Sequence, residues 1–487
     1  MTQPLAIGVD LGTTAVKAGA FSPDGRALGV ASREFSLDSP APGRLEFDAD
    51  RYLALAFDCI REALRKANAP VRAVKAVGFS SQAQTFVVVD ALGRPVRPAV
   101  SWLDVRAEDE ARELSAEAAR VGGEPIGAIE SAPKLLWLRR HEPDAMSRAS
   151  RVLLLPDYFI FRLTGRAVTD PVTASSTGFY DIRAGRWALP LVSACGLREE
   201  MLSEVLYAGE PAGCLTAEAV KELGLSADTV VAVGTNDQLV GAVGAGNVTP
   251  GCASMALGTA LAIVVTNDRP AGLPGPLGFG LHPVRGLYTA LAFAKTSGIV
   301  LRWFRDTMTP GLSYEEIFRE ALTAPIGADG LVCLPHFAGT ATPTFIASAR
   351  GAFAGLTLTH TRAHLARAVV ESLTFTIREN LELLAAAAGG VREVRTIGGG
   401  ARSDAWLQMI ADAAGVTVER PATTEAACLG AAVLGFVAAK VFPSVADGAR
   451  AVYRAERRFV PDVSHRAQWD EAFARYRALY RTLYGCS

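Results

Sequence analysis

An α/β architecture in two domains is predicted by three features of the chain. Its 487 residues exceed what one hydrophobic core usually organises. A strand–corner–strand unit around Gly12-Thr13-Thr14 recurs around Gly258-Thr259, about half a chain later. Short apolar runs elsewhere end in small polar or glycine turns that open helical patterns, at residues 230–246 and 394–414.

Composition narrows the function classes. Basic and acidic residues number 49 and 50, spread along the chain, so neither a nucleic-acid footprint nor an acidic tail is present. Seven cysteines lie far apart with no CxxC pair, which predicts reduced thiols in place of a disulfide framework. The first residues lack a basic segment followed by an apolar core, so no signal peptide is expected. The longest apolar stretch, residues 426–439, is too short to span a bilayer and reads as a buried helix. The expectation is a soluble, cytoplasmic protein.

The first unit begins with an apolar run, residues 6–9, followed by Asp10, the corner Gly12-Thr13-Thr14 and a second apolar run to Phe21. Small residues at such a corner let backbone N–H groups approach an anion, as in phosphate-binding nests. The threonine hydroxyls add donors, Lys17 adds positive charge, and Asp10 is placed to hold a hydrated cation beside the phosphates. The plain alternative is a hairpin whose Asp10 bonds to its own turn. The second copy, with Gly258 and Thr259 at its corner, turns the balance toward two phosphate-facing hairpins in a duplicated protein. Gly and Pro punctuate the chain between the copies, so the expected domains are residues 1–248 and 249–487.

No Gly-Lys dipeptide and no GxGxxG occurs, which removes the Walker A loop and the dinucleotide and protein-kinase glycine loops. A strand candidate at 394–397 instead leads into Gly398-Gly399-Gly400-Ala401-Arg402-Ser403 and a helical pattern. Strand, glycine turn and helix N-terminus form a nucleotide-binding geometry; the alternative is a tight turn with Ser403 as N-cap. At 230–238, an apolar strand runs into Gly234-Thr235-Asn236-Asp237 and then a helix. An Asp between strand end and helix start faces the crevice of an open α/β sheet, although Asp is equally a preferred N-cap.

Taken together, the paired Leu-Gly-Thr corners and the Gly-Gly-Gly-Ala-Arg-Ser turn resemble the FGGY carbohydrate kinases, within the actin, chaperone-ATPase and sugar-kinase superfamily. Ser131-Ala-Pro-Lys134-Leu-Leu-Trp137-Leu is similar to the family's first signature. Gly351 through Gly355, His364-Leu365 and Glu371 are similar to its second. The resemblance implies two ribonuclease-H-like domains around a cleft, each with a five-stranded mixed sheet, and a closing C-terminal helix. It implies ATP and Mg²⁺ as cofactors and phosphoryl transfer to a primary hydroxyl of a small sugar.

By the same resemblance Asp237 is the general base and touches the sugar. Gly12, Thr13, Thr14, Lys17, Gly258 and Thr259 hold the phosphates, Gly399, Gly400, Ala401 and Ser403 the nucleoside, and Asp10 the metal. Gln82, Ala83, Gln84, Trp102 and Asp104 form the sugar site, with Asp104 suited to a bidentate grip on two hydroxyls or, alternatively, to capping the helix that follows. D-xylulose kinases typically carry His where Gln84 stands, and Gly-Glu-Arg-Thr-Pro where this chain has Gly339-Thr340-Ala341-Thr342-Pro343. A ketopentose such as D-xylulose is the first expectation; ribulose, L-xylulose, a tetrulose or a hexulose are alternatives. The expected partner is a small-molecule sugar, without nucleic acid or membrane, and a homodimer is an open option. An actin- or chaperone-like ATPase without a sugar acceptor is the rival from another class. His360 and His364 have the spacing of two metal ligands on one helix face but no third ligand, so they read as structural.

Overall fold

The computed structural model describes residues 3–120, 125–269 and 277–485. The chain forms two compact units: residues 1–246, 281–285 and 425–453 in the first, and 247–280, 286–424 and 454–487 in the second.

The first unit is built on a mixed sheet of β1 (Leu5–Leu11), β2 (Ala15–Phe21), β3 (Ala27–Glu34), β4 (Val74–Ser81), β5 (Pro211–Cys214), β6 (Val230–Ala232) and β7 (Thr235–Asn236). Its order is β5-β6-β4-β1-β2-β3, with β7 also on β4. The second unit contains β8 (Cys252–Leu257), β9 (Leu261–Asn267), β10 (Gly278–Leu281), β11 (Tyr288–Ala294), β12 (Glu393–Ile397), β13 (Thr417–Pro421) and β14 (Ala455–Phe459), in the order β10-β11-β9-β8-β12-β13-β14. In both, an antiparallel hairpin (β1-β2, β8-β9) is flanked by a parallel strand (β4, β12) and then a second parallel strand (β6, β13). The repeat read from two tripeptides is therefore a repeat of whole sheets. Each has seven strands and not the expected five: the second sheet gains β10 and β14 at its edges, and the first gains β5 at one edge and β7, which follows β6 along β4.

A single boundary near residue 248 places residues 425–453 in the second half, whereas in the structure they join the first. The helix Ala426–Ala438 is apolar on all sides and buried, as its composition predicts. It lies on β1 and β4 so closely that a Cβ on Gly8 would fall 1.7 Å from the Cys428 carbonyl oxygen, and one on Gly78 2.0 Å from that of Ala431. Only glycine permits strand and helix backbones to meet in this way. The C-terminal helix Arg466–Tyr484 packs Trp469, Phe473, Tyr476 and Tyr480 into the core of the second unit. The six described cysteines are free thiols, and Cys486 lies outside the described residues. Among the described residues no helix is long and apolar enough to cross a membrane.

Candidate active site

In the first unit the corner between β1 and β2 is gripped from behind. The Gly12 carbonyl accepts hydrogen bonds from Tyr52 Oη (2.6 Å) and Gln82 Nε2 (3.1 Å), and the Gly12 N–H donates to Ala15 O (3.1 Å). The N–H groups of Thr13 and Thr14 have no acceptor among the described residues, so two backbone donors remain open at the tip. Thr13 Oγ1 accepts from Trp102 Nε1 (2.9 Å). Lys17 pairs with Glu425 at 3.0 Å, a partner that the second-half assignment of residue 425 concealed. Its ammonium is thus already engaged by a carboxylate.

Asp10 closes β1 beside this corner and accepts from Ser80 Oγ at 2.8 Å. Its other oxygen takes no hydrogen bond from a described residue. Burial raises its pKa, and the charge of Glu425 adds to the rise, while Ser80 and Lys17 oppose it. Asp237 is the first residue of the helix Asp237–Gly244, and the N-cap is its neighbour Asn236, whose side chain accepts from Gln238 N. The capping alternative for Asp237 is therefore corrected by one position. One Asp237 oxygen accepts from Gln238 N (2.7 Å), and the other takes no hydrogen bond from another described residue. Burial, followed by the negative charge of Asp10, pushes the Asp237 carboxyl up to about 7. The two carboxylates share one electrostatic environment.

Of the expected sugar-site residues, two have different surroundings. Asp104 is 0% exposed; one oxygen accepts from Leu45 N and Arg106 Nη2 (both 2.7 Å), the other from Arg106 N (3.1 Å) and Nε (2.8 Å). With both oxygens committed, it neither grips a ligand nor caps the following helix. Gln82 is likewise buried, its Nε2 on Gly12 O and its Oε1 accepting from Thr85 Oγ1 (2.9 Å). Its work is to tie the segment after β4 to the corner. Ala83 is buried. Gln84 is partly exposed in a left-handed conformation (φ +58°), its carbonyl held by Ser131 Oγ at 2.8 Å. Trp102 is partly exposed.

Lys134 was named only as part of a signature. It is 0% exposed, and its ammonium donates to the carbonyls of Ser101 (3.0 Å), Trp102 (3.0 Å) and Ile129 (2.9 Å). Burial lowers its pKa to about 8. Tyr52 and Ser80 carried no local sequence signal; a lysine inside Pro-Lys-Leu-Leu-Trp-Leu did, as a charge set in an apolar run.

In the second unit the Gly258 carbonyl accepts from Gly298 N (2.9 Å), again from behind the corner, and Gly258 and Thr259 are exposed. The glycine turn is next to it: a Cβ on Gly400 would fall 2.8 Å from Leu257 Cβ, while one on Gly399 would meet nothing. Ala401 is buried and Ser403 caps the helix Asp404–Ala414 through Trp406 N (3.2 Å). The Thr340 hydroxyl accepts from Ile346 N (2.8 Å) and that of Thr342 from Phe293 N (3.1 Å). His364 bonds Asp329 (3.1 Å) and His360 accepts from Thr357 N (2.9 Å), and the two rings meet edge to face with centroids 5.3 Å apart.

Two α/β units with matching hairpin sheets, one of them carrying a carboxylate pair beside open backbone donors, define a phosphotransferase of the sugar-kinase class. Residues 5–244 match the N-terminal domain and 253–439 the C-terminal domain of the FGGY family of carbohydrate kinases, and the chain belongs to that family. It is thus an ATP-dependent phosphotransferase with the two-domain sugar-kinase fold, not an ATPase without an acceptor. It is 29% identical over 483 residues to a xylulose kinase of Staphylococcus epidermidis, covering 99% of this chain and 97% of that one. It is 31% identical over 500 residues to an autoinducer-2 kinase of Salmonella typhimurium, covering 98% and 94%. The crystal structure of a xylulose kinase from Rhodospirillum rubrum superposes with a TM-score of 0.89 at 29% identity, covering 99% of both chains.

Proposed function

We propose that the chain transfers the γ-phosphoryl group of ATP to a primary hydroxyl of a ketopentose, D-xylulose first, with Asp237 as general base. The observation that carries the base is the state of Asp237: Asn236 has taken the cap, one carboxylate oxygen takes no hydrogen bond from another described residue, and burial followed by the charge of Asp10 pushes the carboxyl up to about 7. A base with a pKa near the working pH is both available and able to accept a proton. As the sugar oxygen attacks phosphorus in line, its proton passes to the open Asp237 oxygen and the bond to ADP breaks. The transition state is loose, so positioning and charge neutralisation dominate. The open N–H groups of Thr13 and Thr14 would receive phosphate oxygens, with Gly258 and Thr259 offering the matching corner in the second unit. Gly399 and Gly400 leave bare backbone for the nucleoside.

Mg²⁺ fits this residue set. No cluster of three metal-ligating side chains exists among the described residues, and Mg²⁺ commonly takes one or two carboxylates together with substrate phosphates and water. Asp10 would hold it through its open oxygen, and the bound cation would neutralise phosphate charge.

The likeness to xylulose kinases over nearly the whole chain supports the ketopentose. A second reading is favoured by the autoinducer-2 kinase relatives and by Gln84, which stands where xylulose kinases typically place His. In this reading autoinducer-2 is the acceptor. Cytoplasmic action, where ATP is abundant, belongs to the same proposal. Purified protein assayed for ADP release with D-xylulose, D-ribulose, L-xylulose, a tetrulose, hexuloses, glycerol, gluconate and autoinducer-2 tests it. Turnover highest on a ketopentose supports the first reading. Turnover on autoinducer-2 alone would replace it with the second, and turnover on none would retire both.

A further inference from the structure

Lys134 is a fully buried ammonium with no ion pair among the described residues. Burying a charge is costly unless hydrogen bonds compensate, and an apolar residue of similar length would fill the space at lower cost. Its three donors converge on three carbonyls from two segments, two of them consecutive at Ser101 and Trp102. The Trp102 N–H is fixed in turn by Thr85 Oγ1 (3.0 Å), so the main chain of Trp102 is held on both sides. What this rigid segment presents is the indole, whose N–H reaches Thr13 Oγ1 at the hairpin tip.

We propose that Lys134 is a positioning residue which, by locking the main chain of Ser101 and Trp102, aims the Trp102 indole at Thr13 and so couples the acceptor loop to the phosphate hairpin. The inference rests on the sugar-kinase reading of this site. It makes Trp102 a determinant of nucleotide handling as well as of the sugar.

The experiment is a double-mutant cycle on the full chain with Trp102→Phe, Thr13→Val and the pair, alongside Lys134→Met. ATP affinity is read by calorimetry, and kcat and KM for ATP and for the best acceptor by ADP release. Losing one neutral hydrogen bond predicts about a 3- to 10-fold loss in ATP affinity or kcat/KM for ATP on Trp102→Phe, and no further loss in the Thr13→Val background. Lys134→Met should reproduce that nucleotide defect and add little to Trp102→Phe. If Lys134→Met does not fold, Lys134→Gln, with two donors for three carbonyls, should give a smaller defect of the same kind. Equal effects of Trp102→Phe in both backgrounds would overturn the coupling. So would Lys134 variants that lower only the melting temperature or raise only KM for the acceptor. Absence of turnover with every acceptor would count against the substrate reading, while calorimetric ATP affinities would still decide the coupling.

Discussion

The hydroxyl of Thr235 donates a 2.7 Å hydrogen bond to the carboxylate of Asp170, and both side chains are buried. Thr235 lies two residues before Asp237 and pairs in register with Ser80, whose own hydroxyl holds Asp10. One strand pair thus anchors both carboxylates of the site. Burial pushes Asp170 up to about 6, with Thr235 among the groups that hold it down. Thr235→Val removes that donor and leaves a buried carboxylate less satisfied, costing about 1–3 kcal/mol at pH 7.5. Below about pH 6, where Asp170 is protonated, the penalty should shrink. Chemical denaturation at pH 5 and 7.5 measures both.

The Asp237 carboxyl has a folded-state pKa raised from 3.8 to about 7. The folded protein therefore binds more protons than the unfolded chain between these values. The stability this represents is fully present below pH 3.8 and lost as pH rises through about 7. Asp237→Asn should flatten that slope, so thermal melting of the variant gains on wild type from pH 5 to pH 8. In wild type, kcat/KM should rise with pH through about 7, as the base loses its proton. A profile flat from pH 5.5 to 8 would remove Asp237 as the titrating base.

Asp104 belongs to a buried ionic cluster: Arg106 also meets Glu46, and Glu46 accepts from Arg97 at 2.5 Å. Asp104→Asn removes one of the two close carboxylates that pair with Arg106, leaving Glu46, and weakens its hydrogen bonds to Leu45 and Arg106, which should cost about 1–3 kcal/mol. Any activity change should follow that instability. A well-folded Asp104→Asn variant with a raised KM for the acceptor and an unchanged melting temperature would restore the direct sugar contact.

Gly8→Ala places a methyl 1.7 Å from the Cys428 carbonyl oxygen, a contact that only backbone displacement relieves. Overpacking costs about 1–3 kcal/mol and more where backbone must move. The helix Ala426–Ala438 should loosen from β1, read as faster amide exchange across residues 426–438.

The duplicated hairpins were legible because Leu-Gly-Thr is a local signal and each corner is a local structure. The strand-to-helix placement of Asp237 was legible for the same reason. The membership of residues 425–453 in the first unit was not, because it depends on backbone contacts with Gly8 and Gly78 more than 300 residues away. The surroundings of Asp104 and Gln82 were illegible for a related cause. Their type and position suit a sugar, but the side chains hydrogen-bond Arg106, Leu45, Gly12 and Thr85, and no periodicity reports that. Tyr52 behind Gly12 and Glu425 beside Lys17 are likewise pairings made only by the fold.

The most direct test of the account is the rate of phosphorylation of D-xylulose by ATP and Mg²⁺, compared between wild type and Asp237→Asn. Asn236 still caps the helix in the variant, so the fold should survive, as melting confirms. General-base catalysis contributes about 10²- to 10⁴-fold, and kcat should fall by that factor with KM for ATP little changed. Near-wild-type phosphorylation by a folded Asp237→Asn protein would contradict the assignment of Asp237 and with it the proposed mechanism.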